Sequence, residues 1–239
     1  MPKYTYEQLK DEYQTLWNSM KIIRDTSSLR NVETKVNLYK ETYKAVERST
    51  GVPWQLVAVI HIREAGLSDV GVFKGVLHNG EKIVNTGRKT RIVPAGRGPF
   101  STWHDAAVDA LKLKGFDKIK QWPVSRMLWA LEPYNGYGYR NKGLRSPYLW
   151  ASTNHQQRGK YVADHVFDPN AIDSQMGAAA MLKYLGIGSA PMIPPETAIL
   201  IGTTVGAAYF ENYLVPIIIG GGLIIAACIA YRIYKNRKK

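Results

Sequence analysis

The sequence predicts an α+β fold that is mainly α, with one small antiparallel β-sheet, followed by a C-terminal transmembrane helix. Three observations carry this. Apolar residues recur at helical spacing in residues 4–65 and again from Thr102 onward. Residues 70–100 break that period with Gly, Asn and β-branched residues, punctuated by the turn strings HNG and NTG. Leu214 to Tyr231, "LVPIIIGGGLIIAACIAY", then runs for 18 residues without a charge.

Taken in order, the N-terminus "MPKYTYEQLKDEYQTLW" is charged throughout and lacks an apolar core, so no cleavable secretory signal is expected. Residues 4–48 read as two amphipathic helices, with Tyr6, Leu9, Tyr13, Leu16 and Trp17 on one stripe. "STGVP" interrupts the pattern, and Pro53 suits the first turn of the next helix, "WQLVAVIHIREAG". Residues 70–100 are expected to form the small sheet or a long hairpin. Helices return in "TWHDAAVDALKLKG", "PVSRMLWALEPY" and "DSQMGAAAMLKYLG", and a loop-rich stretch separates the last two. The expected organisation is an N-terminal helical segment packed on the body (1–48), a main domain (49–188) and a Pro-rich linker (189–197). A short apolar or interfacial segment (198–212) and a membrane helix with a basic tail (213–239) complete it.

The chain has 239 residues, with 32 basic against 19 acidic side chains and a net charge of +13. Polyanionic surfaces are therefore plausible partners. There is no zinc-finger spacing, aromatic RNA-binding motif or phosphate-cradling glycine loop, so no specific nucleic-acid partner is expected. The only cysteine, Cys228, excludes a disulfide framework and a thiolate metal site. His78, His104, His155 and His165 lack zinc-ligand spacing, and neither a metal nor a cofactor is expected.

Glu64 stands out. At 100° per residue, Val57, Ile60, His61 and Leu67 fall within about 60° of it, so the acid follows the apolar stripe. Such an acid is a misjudged solvent face, a structural ion with a partner such as His61 at i−3, or a tuned general acid. Arg63 points about 100° away and is a poor partner. Burial raises a carboxyl's pKa toward neutrality, which suits protonation of a glycosidic oxygen. Downstream, Tyr134, Tyr137, Tyr139, Tyr148 and Trp150 crowd a loop rich in Gly and Asn. Aromatic rings there suit pyranose faces, although Tyr148 and Trp150 are equally suited to packing the loop onto the core.

The strings "VPWQLVAVIHIREAG", "LHNG", "VPAGRGPFSTWHDAAVDAL", "LWALEPYNGYGYR", "SPYLWAST" and "GKYVADHVFDP" resemble bacterial and phage lysozyme-like proteins, which are related in fold to goose-type lysozymes and lytic transglycosylases. The resemblance covers roughly residues 45–187, and "LEPYNGYGYR…SPYLW" is its most specific part. It implies that the body is a lysozyme-like domain with Glu64 as general acid. It further implies that Tyr134, Asn135 and Gly136 line a sugar cleft and that Gly98–Phe100 form a turn beside the acid. His78 and Tyr137 join Phe100 as candidate substrate contacts. Ala65 departs from the Ser that usually follows the acid in transglycosylases. For a second carboxylate the candidates are Glu81, Asp105, Asp109 and Asp173, with Glu81 favoured.

The expected function is cleavage of the β-1,4 bond between N-acetylmuramic acid and N-acetylglucosamine in peptidoglycan glycan strands, by hydrolysis or transglycosylation. The membrane segment suggests a phage enzyme acting at genome entry or host lysis, held in a virion membrane or the host envelope. The competing class is a non-catalytic, membrane-anchored wall-binding or virion structural protein on a retired lysozyme-like fold. A chitinase is a third option, because chitin offers the same linkage.

Overall fold

The first helix forms where the sequence supplies its own cap. Thr5 accepts the Gln8 amide through its hydroxyl, and Gln8 returns the bond to the Thr5 amide (2.8 Å). In this computed structural model, residues 3–163 and 166–188 are described. Helix α1 (Tyr6–Ser19) buries Leu9, Tyr13, Leu16 and Trp17 of the stripe that its sequence predicts, while Tyr6 is only partly buried. Two further helices follow, α2 (Thr26–Leu38) and α3 (Lys40–Thr50), separated by Tyr39 alone. Residues 4–48 were expected to hold two helices and instead hold three. Neither Pro nor Gly marks the break at Tyr39, so its position leaves no trace in the sequence.

Gly51 ends α3 in the left-handed conformation (φ 73°), its amide bonding the Glu47 carbonyl at 2.7 Å. Pro53 then sits just ahead of α4 (Trp54–Ala65). All but two of the residues from Trp54 to Ile62 are fully or almost fully enclosed: only Pro-adjacent Trp54 reaches 9% exposure, and Gln55 alone is half-buried. Between Gln55 and its last turn the helix has no solvent face. It packs against α3 on one side and against the helix Ala178–Tyr184 on another. A helix that is apolar all round belongs in the interior. The stripe inferred for Glu64 is thus a narrow reading of a wholly buried element. Gly66 (φ 86°) closes α4 with a bond from its amide to Ile62 (2.9 Å).

Residues 70–100 correct the sequence reading, because they form no sheet. One isolated bridge, Gly75 with Lys82, is their only strand-like pairing. Gly80, Gly87, Gly96 and Gly98, together with Asn85, take positive φ, and Pro94 and Pro99 lack an N–H. Backbone that leaves the extended region every few residues cannot sustain a ladder. Side chains hold the segment instead. Glu81 accepts the Arg91 and Ile92 amides at 3.0 Å, while Thr90 accepts the Arg97 amide at 2.9 Å and donates to the Pro94 carbonyl at 2.6 Å.

Beyond this loop come α5 (Trp103–Leu113), α6 (Val124–Leu131) and two single-turn helices, α7 (Gly138–Asn141) and α8 (Pro147–Trp150). The antiparallel sheet lies in the stretch read from sequence as loop. Strands β1 (Lys160–Ala163) and β2 (Val166–Asp168) pair Lys160 with Asp168 and Tyr161 with Phe167. The Tyr161 and Phe167 rings meet edge-on at 5.2 Å. Helix α9 (Ala178–Tyr184) closes the body, touching α2, α4, α6 and α8. Tyr13, Leu29, Val36 and Tyr43 from the N-terminal helices share one hydrophobic core with Leu56, Ile60, Leu128 and Met181. Among the described residues, no helix is long and apolar enough to cross a membrane. The expected linker, interfacial segment and membrane helix lie outside the described residues.

Gly80 fixes the 70–100 loop on the end of α4. A β-carbon there would collide with the Glu64 carbonyl oxygen, and φ is 79°. Gly80→Ala is expected to destabilise the fold by about 2–4 kcal/mol, from backbone strain plus a forced shift against main chain. Chemical denaturation checks this, and an unchanged midpoint would show that the loop does not seat there.

Candidate active site

Three elements deliver the side chains around Glu64. The last turn of α4 carries Arg63 and Glu64, α8 carries Tyr148, and the turn after α6 carries Tyr134. The Tyr148 hydroxyl donates to Glu64 Oε1 at 2.9 Å. Arg63 lies over the Tyr148 ring at 4.2 Å and donates to the Met176 carbonyl at 2.8 Å. Tyr148 in turn stacks on Tyr134, with planes 9° apart and centroids 6.4 Å apart, and Lys114 sits 4.0 Å over the Tyr134 ring. Contacts thus run Arg63–Tyr148–Tyr134–Lys114, a stacked pair of rings with a cation against each. Tyr148 is buried, whereas Glu64 and Tyr134 are only partly exposed. The Tyr134 hydroxyl is enclosed with no hydrogen-bond partner among the described residues.

Burial pushes the Glu64 carboxyl up to about 7, against the opposing pull of the Tyr148 hydrogen bond, Arg63 and Lys114. Desolvation outweighs one donor and two nearby cations. The C-terminal end of a helix, where carbonyls point outward, further disfavours a carboxylate. Because Tyr148 donates to Oε1, Oε2 is left to carry a transferable proton.

The sequence offered His61 as a partner for Glu64, and the structure corrects this. His61 bonds the Tyr43 hydroxyl through Nδ1 and Asp69 Oδ2 through Nε2, each at 2.9 Å and fully enclosed. Asp69 also accepts the Gly75 and Lys74 amides. Burial works to raise the Asp69 pKa, but these bonds outweigh it and the net shift is downward. This network pins the segment after α4 to its interior and leaves Glu64 without a histidine.

Of the proposed glycan contacts, Tyr134, Asn135 and Gly136 do lie on the turn beside Tyr148. Asn135 is exposed and Gly136 takes φ 68°. Tyr137 packs edge-on to Tyr4 at 5.0 Å, on the N-terminal segment. Phe100 stacks on His78 at 5.8 Å, with Phe100 partly exposed. His78 itself is enclosed, its side chain 1% exposed and its Nε2 2.8 Å from Asp109, which leaves no ring face for a sugar. Its pKa is lowered by burial, against the pull of Asp109.

Each candidate second carboxylate has other work. Glu81 is engaged by the Arg91 and Ile92 amides and by Asn79. Those bonds outweigh desolvation and hold it below the usual carboxylate range. Asp105 accepts the Thr102 hydroxyl at the start of α5 (2.7 Å). Asp109 joins Arg97 and His78, and Asp173 is buried against Lys160 at 3.0 Å. Within the "LEPYNGYGYR" string, Glu132 and Arg140 pair with each other and tie to Glu12 and Tyr13 of α1, beside a cavity of about 200 Å³. The charges of that string hold α1, and one of its rings, Tyr134, stacks on Tyr148.

Sequence reasoning missed Tyr148 as the donor to Glu64, and missed Asp69 altogether. The two ends of the Tyr148 bond lie 84 residues apart, so no local spacing signals it. Comparisons with protein-family models, curated proteins and solved structures found no match to this chain.

Two outcomes follow from the Glu64 environment. Its folded pKa lies above the unfolded value near 4.3, so the folded state holds the proton longer. The associated stability is full below about pH 4 and is lost as pH rises through about 7. A loss on the order of 3 kcal/mol by pH 8 is expected, and Glu64→Gln should remove it. Urea denaturation at pH 5 and pH 8 checks this; identical pH slopes for both proteins would refute the buried acid. Tyr148→Phe removes a donor that favours the charged form, so the Glu64 titration seen by carboxyl carbon NMR should move above about 7. A downward move would mean that the hydroxyl does not serve Glu64.

Proposed function

We propose that this chain is a glycosidase that cleaves the β-1,4 bond between N-acetylmuramic acid and N-acetylglucosamine in peptidoglycan, with Glu64 as its general acid. The observation that carries the reading is the Glu64 carboxyl itself, desolvated to a pKa of about 7 yet partly exposed at the end of an otherwise enclosed helix. The resemblance of residues 45–187 to lysozyme-like proteins supports the same assignment, as does the mainly helical body.

In this reading the Glu64 Oε2 proton passes to the glycosidic oxygen as the C1–O bond breaks. The resulting carboxylate is stabilised by the Tyr148 hydroxyl, Arg63 and Lys114. Glu64 then takes a proton back from the incoming nucleophile, which is water for hydrolysis or the muramoyl 6-hydroxyl for transglycosylation. Glu81, Asp105, Asp109 and Asp173 are all engaged elsewhere, which favours a route in which one carboxyl serves as acid and then base. Tyr134, Asn135, Gly136 and Phe100 are the proposed glycan contacts. Residues 213–239 are proposed as an anchor in a virion membrane or host envelope, on their sequence alone.

Glu64→Gln is expected to lower cleavage of purified sacculi by ~10²–10⁴-fold, the loss associated with removing a general acid. Mass spectrometry of the products reads the reaction directly: reducing muramic ends mark hydrolysis and 1,6-anhydro ends mark transglycosylation. Wild-type protein that binds sacculi without releasing products would establish the non-catalytic wall-binding alternative. Retention of more than about a tenth of the activity in the variant would remove Glu64 from the chemistry.

A further inference from the structure

The loop between α4 and α5 carries a second feature that the glycosidase reading does not use. Between Val70 and His104 the sequence has six cations and one acid, Glu81. Lys82, Arg88, Lys89 and Arg91 are exposed and line a concavity of about 150 Å³ with Glu81 and Ile83. Among the described residues, none of these four forms an ion pair. Glu81 is turned to main-chain amides of the loop, so its carboxylate is used to hold the backbone.

A basic concavity by itself suits any polyanion. The neighbouring residues narrow the choice. Ile92 is 59% exposed and Val93 83% exposed, directly after Arg91. They are held outward by a built loop: the Ile92 amide bonds Glu81, the Ile92 carbonyl accepts Asn79, and Thr90 clamps Pro94 and Arg97. A soluble polyanion gains nothing from an exposed Ile-Val pair. A phospholipid surface uses both parts, phosphates meeting the cations and the apolar tip entering the boundary between headgroups and acyl chains.

We propose that the loop from Lys82 to Val93 docks on an anionic phospholipid surface, with Lys82, Arg88, Lys89 and Arg91 on the headgroup phosphates and Ile92 and Val93 in the interface. The test is flotation of the full chain with phosphatidylcholine vesicles, with and without phosphatidylglycerol. Three proteins are compared: wild type, the quadruple variant Lys82→Gln, Arg88→Gln, Lys89→Gln, Arg91→Gln, and Val93→Ser. Lipid is titrated down to the range where each protein is only partly bound, so that binding through residues 213–239, common to all three, divides out of the ratio of partition coefficients. All substituted side chains are exposed, and a wild-type circular dichroism spectrum confirms folding.

The quadruple variant should lose about tenfold or more of the wild-type preference for phosphatidylglycerol, given what each near-surface cation contributes. Val93→Ser should weaken binding to the anionic vesicles about threefold. A quadruple variant that keeps the full preference overturns the proposal. So does a Val93→Ser variant that binds like wild type while a soluble glycerol-phosphate polymer displaces the chain, because the concavity then serves a free polyanion.

Discussion

The constraint on which the site depends is the enclosure of α4. Val57 to His61 have no exposed surface, and beyond Gln55 the helix reaches solvent only in its last turn. Any ionisable group placed there stands at the edge of a low-dielectric interior, with a short list of groups able to compensate it. Glu64 occupies that position and receives one side-chain hydrogen bond, from Tyr148. Its elevated pKa therefore follows from where the helix is packed.

The neighbouring groups divide into those that fix position and those that tune charge. His61, Tyr43 and Asp69 form a buried hydrogen-bonded chain one turn below the acid, and Asp69 Oδ2 carries it onward to the backbone of the 70–100 loop. Breaking such a chain at one member leaves a buried polar group without its partner, so it resists rearrangement. Arg63 and Lys114 act on the acid through space while resting on the Tyr148 and Tyr134 rings. The rings keep the cations in place, and both cations bias Glu64 toward ionisation. Removal of water from the carboxyl dominates all of them.

Much of this was legible in the chain. The α1 stripe, the helix carrying Glu64, the helices after Thr102 and an acid with apolar neighbours are all periodicity arguments, and periodicity is local. The sheet was misplaced because Gly-rich, turn-dense sequence reads alike whether the segment pairs with itself or is laced by side chains. In residues 70–100 Glu81 and Thr90 supply the bonds that a ladder would have supplied. The Tyr148–Glu64 and Tyr43–His61 bonds join residues far apart in sequence, so only the fold brings them together. His61 shows the limit: its i−3 spacing to Glu64 was real, but Asp69 and Tyr43 claimed both of its nitrogens.

The engagement of Glu81 bears on chemistry as well as on folding. A catalytic base needs a basic carboxylate, and the main-chain amides that both Glu81 oxygens accept hold its pKa below the usual range. Recruiting it would release the Arg91 and Ile92 amides and loosen the loop that Gly80 seats against the Glu64 carbonyl. The carboxylate that looked like a partner for Glu64 instead maintains the surface next to it. Under the proposed glycosidase reading, a single acid serves both halves of a glycosyl transfer. A pKa of about 7 suits that double duty, since near neutrality the same group is available as acid and, once ionised, as base.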